Sequence, residues 1–333
     1  MQQILVIQTA FIGDVVLATG ILEKLHAHFP DAQIDILVRK GNESLFTQHP
    51  FLREVICWDK KAAKYAHLLG VLKQIRKTRY DILINVQRFA ATGLLTALSK
   101  ARQTIGFDKN PFSFLFSDVI RHIISENDHT MHEIERNHQL IRSITDNKAG
   151  KPRLYPSAAD QEAVRKWKQQ PYVCIAPASV WFTKQFPKDQ WIKLVNALPQ
   201  NLQVYLIGAP TDTALCEEIR NASSHTGVTN LAGTLRFLES AALQQDAVMN
   251  YVNDSAPMHF ASSVNAPVTA VYCSTIPAFG FGPLSDNSHI VEVATALPCR
   301  PCGLHGKKAC PELHFNCARQ ITTEQLLAVL PNN

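Results

Sequence analysis

Three short segments carry residue types suited to a phosphorylated ligand. The first, Gln8-Thr9-Ala10-Phe11-Ile12-Gly13-Asp14-Val15-Val16, joins an apolar run to an amphipathic stretch. Gly13 permits a tight turn or a close backbone approach by a ligand. Asp14 falls at the cap or first turn of the following helix, a common place for an aspartate to accept from free N–H groups. The second segment, Lys184-Gln185-Phe186-Pro187, sits in the loop above a strand end. A lysine there can neutralise a diphosphate, or it is a solvated surface cation. The third, Asn253-Asp254-Ser255-Ala256-Pro257-Met258-His259, follows an apolar strand and opens a helix. Free N–H groups and the positive end of the helix dipole favour a phosphate at such a point. Asp254 and Ser255 can cap the helix or bond a ligand. His259 lies one helical turn beyond Ser255 on the same face, as a ligand group or a structural histidine.

The elements that must hold these segments alternate along the whole chain. Strands are expected at Gln3–Gln8, Ile34–Val38, Glu54–Cys57 and Asp81–Asn85, with helices at Asp14–His28, Ala62–Lys77 and Phe89–Lys100. Asp146–Pro156 is polar, contains Lys, Gly and Pro, and suits a linker. After a helix at Ala158–Lys168 the pattern restarts. Strands are expected at Tyr172–Ala176, Gln203–Ile207, Ala247–Tyr251 and Val268–Tyr272, and helices at Lys188–Leu198, Thr211–Ser223, Ser255–Val264 and Thr322–Leu330. Alternation of this kind means parallel sheets with crossover helices. The expected architecture is α/β, with two doubly wound domains over residues 1–157 and 158–333. Ligands of such folds bind beyond the carboxyl ends of the strands. The length of 333 residues suits two domains of about 150 residues each.

Composition bears on location and partners. The apolar fraction is 46%, no run approaches the roughly 18 apolar residues of a membrane span, and the N-terminus lacks a basic n-region and a cleavage site. A cytoplasmic chain is expected, and no nucleic-acid partner. The net charge is +5, and all of the excess lies in residues 1–160, with 21 Lys+Arg against 16 Asp+Glu. That half either has a solubilising surface or meets something anionic.

The three segments, in this order and spacing, resemble glycosyltransferase family 9, the lipopolysaccharide heptosyltransferases. That family opens with a strand, a Gly-Asp turn and a helix. It carries Lys-x-Trp-Pro early in its second domain and Asn-Asp-Ser-Gly-x-x-His later. The resemblance spans nearly the whole chain and implies a GT-B fold, two Rossmann-like domains facing each other across a cleft. It implies an inverting enzyme that moves heptose from ADP-heptose to the lipopolysaccharide inner core, with Kdo-lipid A or heptosyl-Kdo-lipid A as acceptor. Asp14 would be the general base on the acceptor hydroxyl. Lys184, Asp254, Ser255, Ala256 and His259 would hold the donor, and Gly13 would border the acceptor. An inverting transfer needs one base and stabilisation of the leaving diphosphate. No Asp-x-Asp motif is present, so neither a catalytic metal nor another cofactor is expected. Phe186 stands where the family has Trp, and Ala256 where it has Gly; a methyl there could crowd the phosphate. Other readings are another nucleotide sugar or acceptor, a nucleotide-sugar 2-epimerase, or a nucleotide-sugar binder without turnover.

Two features remain. Lys60, Lys61, Lys64, Lys73, Arg76, Lys77 and Arg79 occur without an acidic residue among them, around Ala62, Ala63, Ala66, Leu68, Leu69, Val71, Leu72 and Ile75. This reads as a solvated amphipathic helix covering the first sheet. Alternatively its cations, Lys60, Lys61 and Lys64 in particular, meet an anionic lipopolysaccharide core acceptor or, peripherally, the inner membrane surface. Of eight cysteines, Cys57, Cys174, Cys216 and Cys273 read as buried thiols. Cys299, Cys302, Cys310 and Cys317 form C-x2-C-x7-C-x6-C, a spacing open to structural zinc, free thiols or disulfides.

Overall fold

The computed structural model describes residues 1–60, 64–126 and 129–331. They form two α/β units, Met1–Tyr155 and Pro156–Asn333. The first unit runs β1 Gln3–Ile7, α1 Ile12–His28, β2 Gln33–Arg39, β3 Leu52–Trp58, α2 Lys64–Ile75, β4 Ile82–Asn85, α3 Ala90–Leu98, β5 Gln103–Phe107, β6 Asp118–Ile120, the short pair β7 Ser125–Glu126 and β8 His129–Thr130, and α4 Glu133–His138. Its main sheet has the order β3-β2-β1-β4-β5-β6, parallel throughout. Ile4, Leu5, Val6 and Ile7 are all fully buried. An unbroken apolar run is what a central parallel strand covered on both faces requires.

The second unit repeats the plan. It runs α5 Ala158–Val164, β9 Tyr172–Ala176, α6 Lys188–Ala197, β10 Gln203–Leu206, α7 Thr213–Ala222, β11 Val228–Asn230, α8 Phe237–Gln245, β12 Met249–Asn253, α9 Ala256–Ser263, β13 Val268–Tyr272, β14 Ser288–Glu292, α10 Asn316–Arg319 and α11 Thr323–Leu327. The order is β11-β10-β9-β12-β13-β14, again all parallel. Two apolar clusters pack on this sheet. One is built around Trp191, Leu194, Ile219, Phe315 and Ile321, the other around Val164, Met258 and Ala261. In both sheets the strand order reverses beside the first strand, between β1 and β4 and between β9 and β12. Such reversal points leave a crevice at the carboxyl edge.

Several expectations need correction. The strands β5, β6, β11 and β14 and the helix α8 were not legible in the sequence. Buried residues circle α8 (Leu238, Glu239, Ala241, Ala242, Leu243 and Gln244), so no polar stripe marks it. On α2 the buried face is Leu68, Val71, Leu72 and Ile75, at helical spacing, while Leu69 is 60% exposed. Ala66 is exposed too. Cys57 is exposed because β3 alternates, with Ile56 and Trp58 inward. The 146–156 segment, inside which the two units divide, also runs as a strap along α1. Lys24 pairs with Asp146 at 2.8 Å, the Arg153 amide donates to Thr19 Oγ1 at 2.8 Å, and the Tyr155 hydroxyl donates to Glu23 at 2.9 Å. Gly20 and Gly150 permit this approach, since a Cβ on Gly20 would stand 2.4 Å from the Gly150 carbonyl oxygen. Among the described residues no helix is long and apolar enough to cross a membrane.

Candidate active site

At the carboxyl edge of the first sheet, Gln8 and Gln87 bridge the β1/β4 reversal by a side-chain hydrogen bond. Gln8 Oε1 also accepts from the Ala10 amide at 3.2 Å and shapes the turn into α1. Phe11 is the N-cap of α1 and offers no side-chain acceptor, so Gly13 and Asp14 are the second and third helical residues. Asp14 is therefore a half-buried first-turn carboxylate, not the cap. Its charge is felt by Glu133, the first residue of α4, which packs against α1. Burial pushes the Glu133 carboxyl up to about 7, and the charge of Asp14 adds to the rise. Its ion-pair partner Arg136, itself buried, pulls the other way. Arg136 also donates to the carbonyls of Ile123 at 2.8 Å and Met131 at 3.1 Å.

Lys60 reaches this turn in an unforeseen way. Its ammonium donates to the Thr9 carbonyl at 2.7 Å and Thr9 Oγ1 at 2.9 Å, above the Trp58 ring. It braces the β1–α1 turn. Lys61, Ala62 and Ala63 lie outside the described residues, and Lys64 is the first residue of α2.

At the β9/β12 reversal two of the expected donor residues, Lys184 and Asp254, meet. Lys184 and Asp254 form a largely buried ion pair at 2.6 Å. The Thr275 hydroxyl, just past β13, donates to the same carboxylate oxygen at 2.7 Å. The sequence suggested that Asp254 or Ser255 caps α9. Ser255 is the N-cap, yet no side chain caps the helix, and its hydroxyl turns back to the Asn253 carbonyl at 3.3 Å. Asp254 is spent on Lys184 and Thr275, and in the first turn of α9 Pro257 has no N–H and the Met258 amide donates to the Ser255 carbonyl at 3.1 Å, so the Ala256 amide is the donor left without a side-chain cap. His259 is buried on α9, its ring 6.5 Å from that of Phe281.

Residues that sequence reasoning passed over hold this arrangement. Buried Asn253 accepts from the Phe186 amide at 2.8 Å and donates to the Pro177 carbonyl at 2.8 Å, tying β12 to the loop that carries Lys184. Arg300 binds the end of β13 through the carbonyls of Cys273 and Thr275, each at 2.8 Å, and pairs with Glu292 at 2.6 Å. Asn253 stood in a recognisable motif, whereas Arg300 had no sequence signal beyond lying between two cysteines.

All eight cysteines are free thiols. Among the described residues no group of three or more His, Cys, Asp or Glu is arranged to hold a metal ion, so the zinc reading of Cys299, Cys302, Cys310 and Cys317 meets no assembled site. Cys317 and Cys310 pack in or against the apolar cluster under α6, while Cys302 Sγ points to the Cys299 carbonyl at 3.2 Å. Burial, with the neighbouring thiols, pushes Cys317 up to about 11.

A family model described as glycosyltransferase family 9 (heptosyltransferase) matches residues 68–311. The chain belongs to that family. It is a glycosyltransferase. Lipopolysaccharide heptosyltransferase 3 of Escherichia coli K12 is 28% identical over 296 residues, covering 80% of this chain and 81% of that protein. Among solved structures, a family 9 glycosyl transferase from Veillonella parvula superposes with a TM-score of 0.85 at 19% identity, covering 98% of this chain and 96% of the other. The E. coli ADP-heptose lps heptosyltransferase II superposes with a TM-score of 0.80 at 21% identity, covering 99% and 98%. The two parallel six-stranded sheets are those of the GT-B fold.

Proposed function

We propose that this family 9 glycosyltransferase moves heptose from ADP-heptose to the inner core of lipopolysaccharide, with inversion, on the cytoplasmic face of the inner membrane. The observation that carries the donor half is the Lys184–Asp254 pair at the β9/β12 reversal, beside the uncapped start of α9. In this reading the Lys184 ammonium and the first turn of α9 meet the diphosphate, with Ser255, Ala256 and His259 lining it. Asp254 holds Lys184 and does not touch the anion, since two negative groups at one point repel. Asp14 takes the proton of the acceptor hydroxyl as the sugar is transferred. The donor assignment draws support from the structural likeness to the E. coli ADP-heptose lps heptosyltransferase II, and the acceptor class from the lipopolysaccharide heptosyltransferase among the sequence relatives. The acceptor is Kdo-lipid A or its heptosylated form, and its phosphates and carboxylates suit the basic first half of the chain.

The experiment is to incubate the protein with ADP-heptose and, separately, heptose-free and heptosylated Kdo-lipid A, following ADP release and the anomer formed. Transfer to either acceptor with inversion supports the reading, and ADP-heptose left intact with both removes it. Asp14→Asn should lower kcat by on the order of 10²–10⁴ with donor affinity nearly unchanged. Near-normal turnover by that variant would strip Asp14 of its role.

A further inference from the structure

The tail around the cysteines is packed against the residue that the donor reading depends on. Gly306 is seated on the Lys184 side chain. A Cβ there would stand 2.7 Å from Lys184 Cγ, 2.7 Å from Trp181 Cβ and 3.2 Å from Lys184 Cδ. Real Cβ atoms essentially never come that close, so any residue but glycine must displace the lysine stem or the Trp181 side chain. The seat is fixed on both sides. Buried Thr183 donates its amide to the Lys307 carbonyl at 3.1 Å, and its hydroxyl oxygen accepts from the Lys307 amide at 2.7 Å and Ser274 Oγ at 2.9 Å. The Cys302 amide donates to the Ser274 carbonyl at 3.0 Å, and Arg300 anchors the start of the tail to the end of β13. Thr275, whose carbonyl Arg300 holds, closes the circuit through Asp254 to Lys184.

We propose that residues 300–307 form a positioning strap, with Gly306 as its contact point, that confines the Lys184 stem and so aims its ammonium at the donor diphosphate. This rests on the reading that Lys184 meets that diphosphate. A lysine has four rotatable bonds, and ordering it in the free enzyme removes a cost that ligand binding would otherwise bear. Asp254 holds the charged end, but a charge contact alone leaves the stem free. Gly306 and the paired Thr183 and Lys307 confine it. None of these strap residues need touch the sugar or the diphosphate.

The test compares ADP and adenosine binding by calorimetry in Gly306→Ala, Gly306→Val, Thr183→Val, Lys184→Ala and the Lys184→Ala/Gly306→Val double variant, each checked for a cooperative melt. Gly306→Val should weaken ADP about tenfold while adenosine binding holds, with Gly306→Ala smaller in the same direction. Thr183→Val, which removes the hydroxyl's bonds to Lys307 and Ser274 without adding bulk and so loosens the strap, should repeat the ADP-specific loss and stands in if Gly306→Val fails to fold. In the Lys184→Ala background Gly306→Val should add nothing, because its effect passes through the lysine. Equal losses for ADP and adenosine, wild-type ADP affinity in the strap variants, or additive losses in the double variant would overturn the strap. If Lys184→Ala weakens ADP and the strap variants do not, the strap fails and the diphosphate reading stands. If Lys184→Ala leaves ADP binding untouched, both fall.

Discussion

Burial pushes the Glu133 carboxyl up to about 7, against an ordinary value of 4.5; the attraction of Arg136 is the largest opposing effect, and the charge of Asp14 adds to the rise. Near neutral pH the surroundings of Asp14 therefore gain a negative charge as Glu133 ionises. A nearby anion strengthens a carboxylate base, so the pH profile of kcat/KM should show an inflection near 7. Glu133→Gln keeps a polar partner for Arg136 and removes the titration. It should abolish that inflection while leaving the donor KM alone. A folded value above the unfolded one also means that the stability contribution is complete below about pH 4.5 and is lost as pH rises through 7. The melting temperature of Glu133→Gln should therefore change less between about pH 5 and 7.5 than that of the wild type. Persistence of the inflection in the variant would remove Glu133 from the account. Asp14 and Lys184 could be picked from the chain because each stands beside a turn signal. Glu133 could not, because its importance comes from an α4–α1 packing contact between residues far apart in sequence.

At the level of elements, what matters is how the loops at the carboxyl edge of the second sheet are held. Asn253, the last residue of β12, satisfies the Phe186 amide and the Pro177 carbonyl of the β9–α6 loop. Asn253→Ala leaves both buried groups unpaired, which should cost about 1–3 kcal/mol in urea unfolding. It should also loosen the loop that carries Lys184, so that ADP binding weakens along with stability. An unchanged urea midpoint would show that water replaces both bonds. The apolar strands β1, β9 and β13 were read closely from their hydrophobic runs. Three-residue strands such as β6 and β11 carry too little pattern to be recognised, and exist because a neighbouring strand offers its free edge.

On the scale of the whole molecule, each unit has its own sheet and its own buried clusters. Every contact described among Lys184, Asp254, Thr275, Arg300 and Gly306 lies within Pro156–Asn333. A fragment of residues 156–333 should therefore unfold cooperatively and bind ADP with an affinity within about tenfold of the full chain. A fragment that melts without a transition would show that its core needs the other unit.

The sequence by itself determined the α/β class, the parallel sheets and the glycosyltransferase family. Alternating apolar runs and turn residues are local signals, and three motifs in fixed order are a joint one. Only the tertiary structure decided that Asp254 pairs with Lys184 and leaves the start of α9 without a side-chain cap, that Lys60 braces Thr9, that Cys57 faces outward, and that the cysteine tail lies over Lys184. Each of these depends on which side chain two distant segments place at one point. A one-dimensional pattern carries no distances, so contacts spanning 124 residues, as between Thr183 and Lys307, appear only once the sheets have set the strand ends side by side.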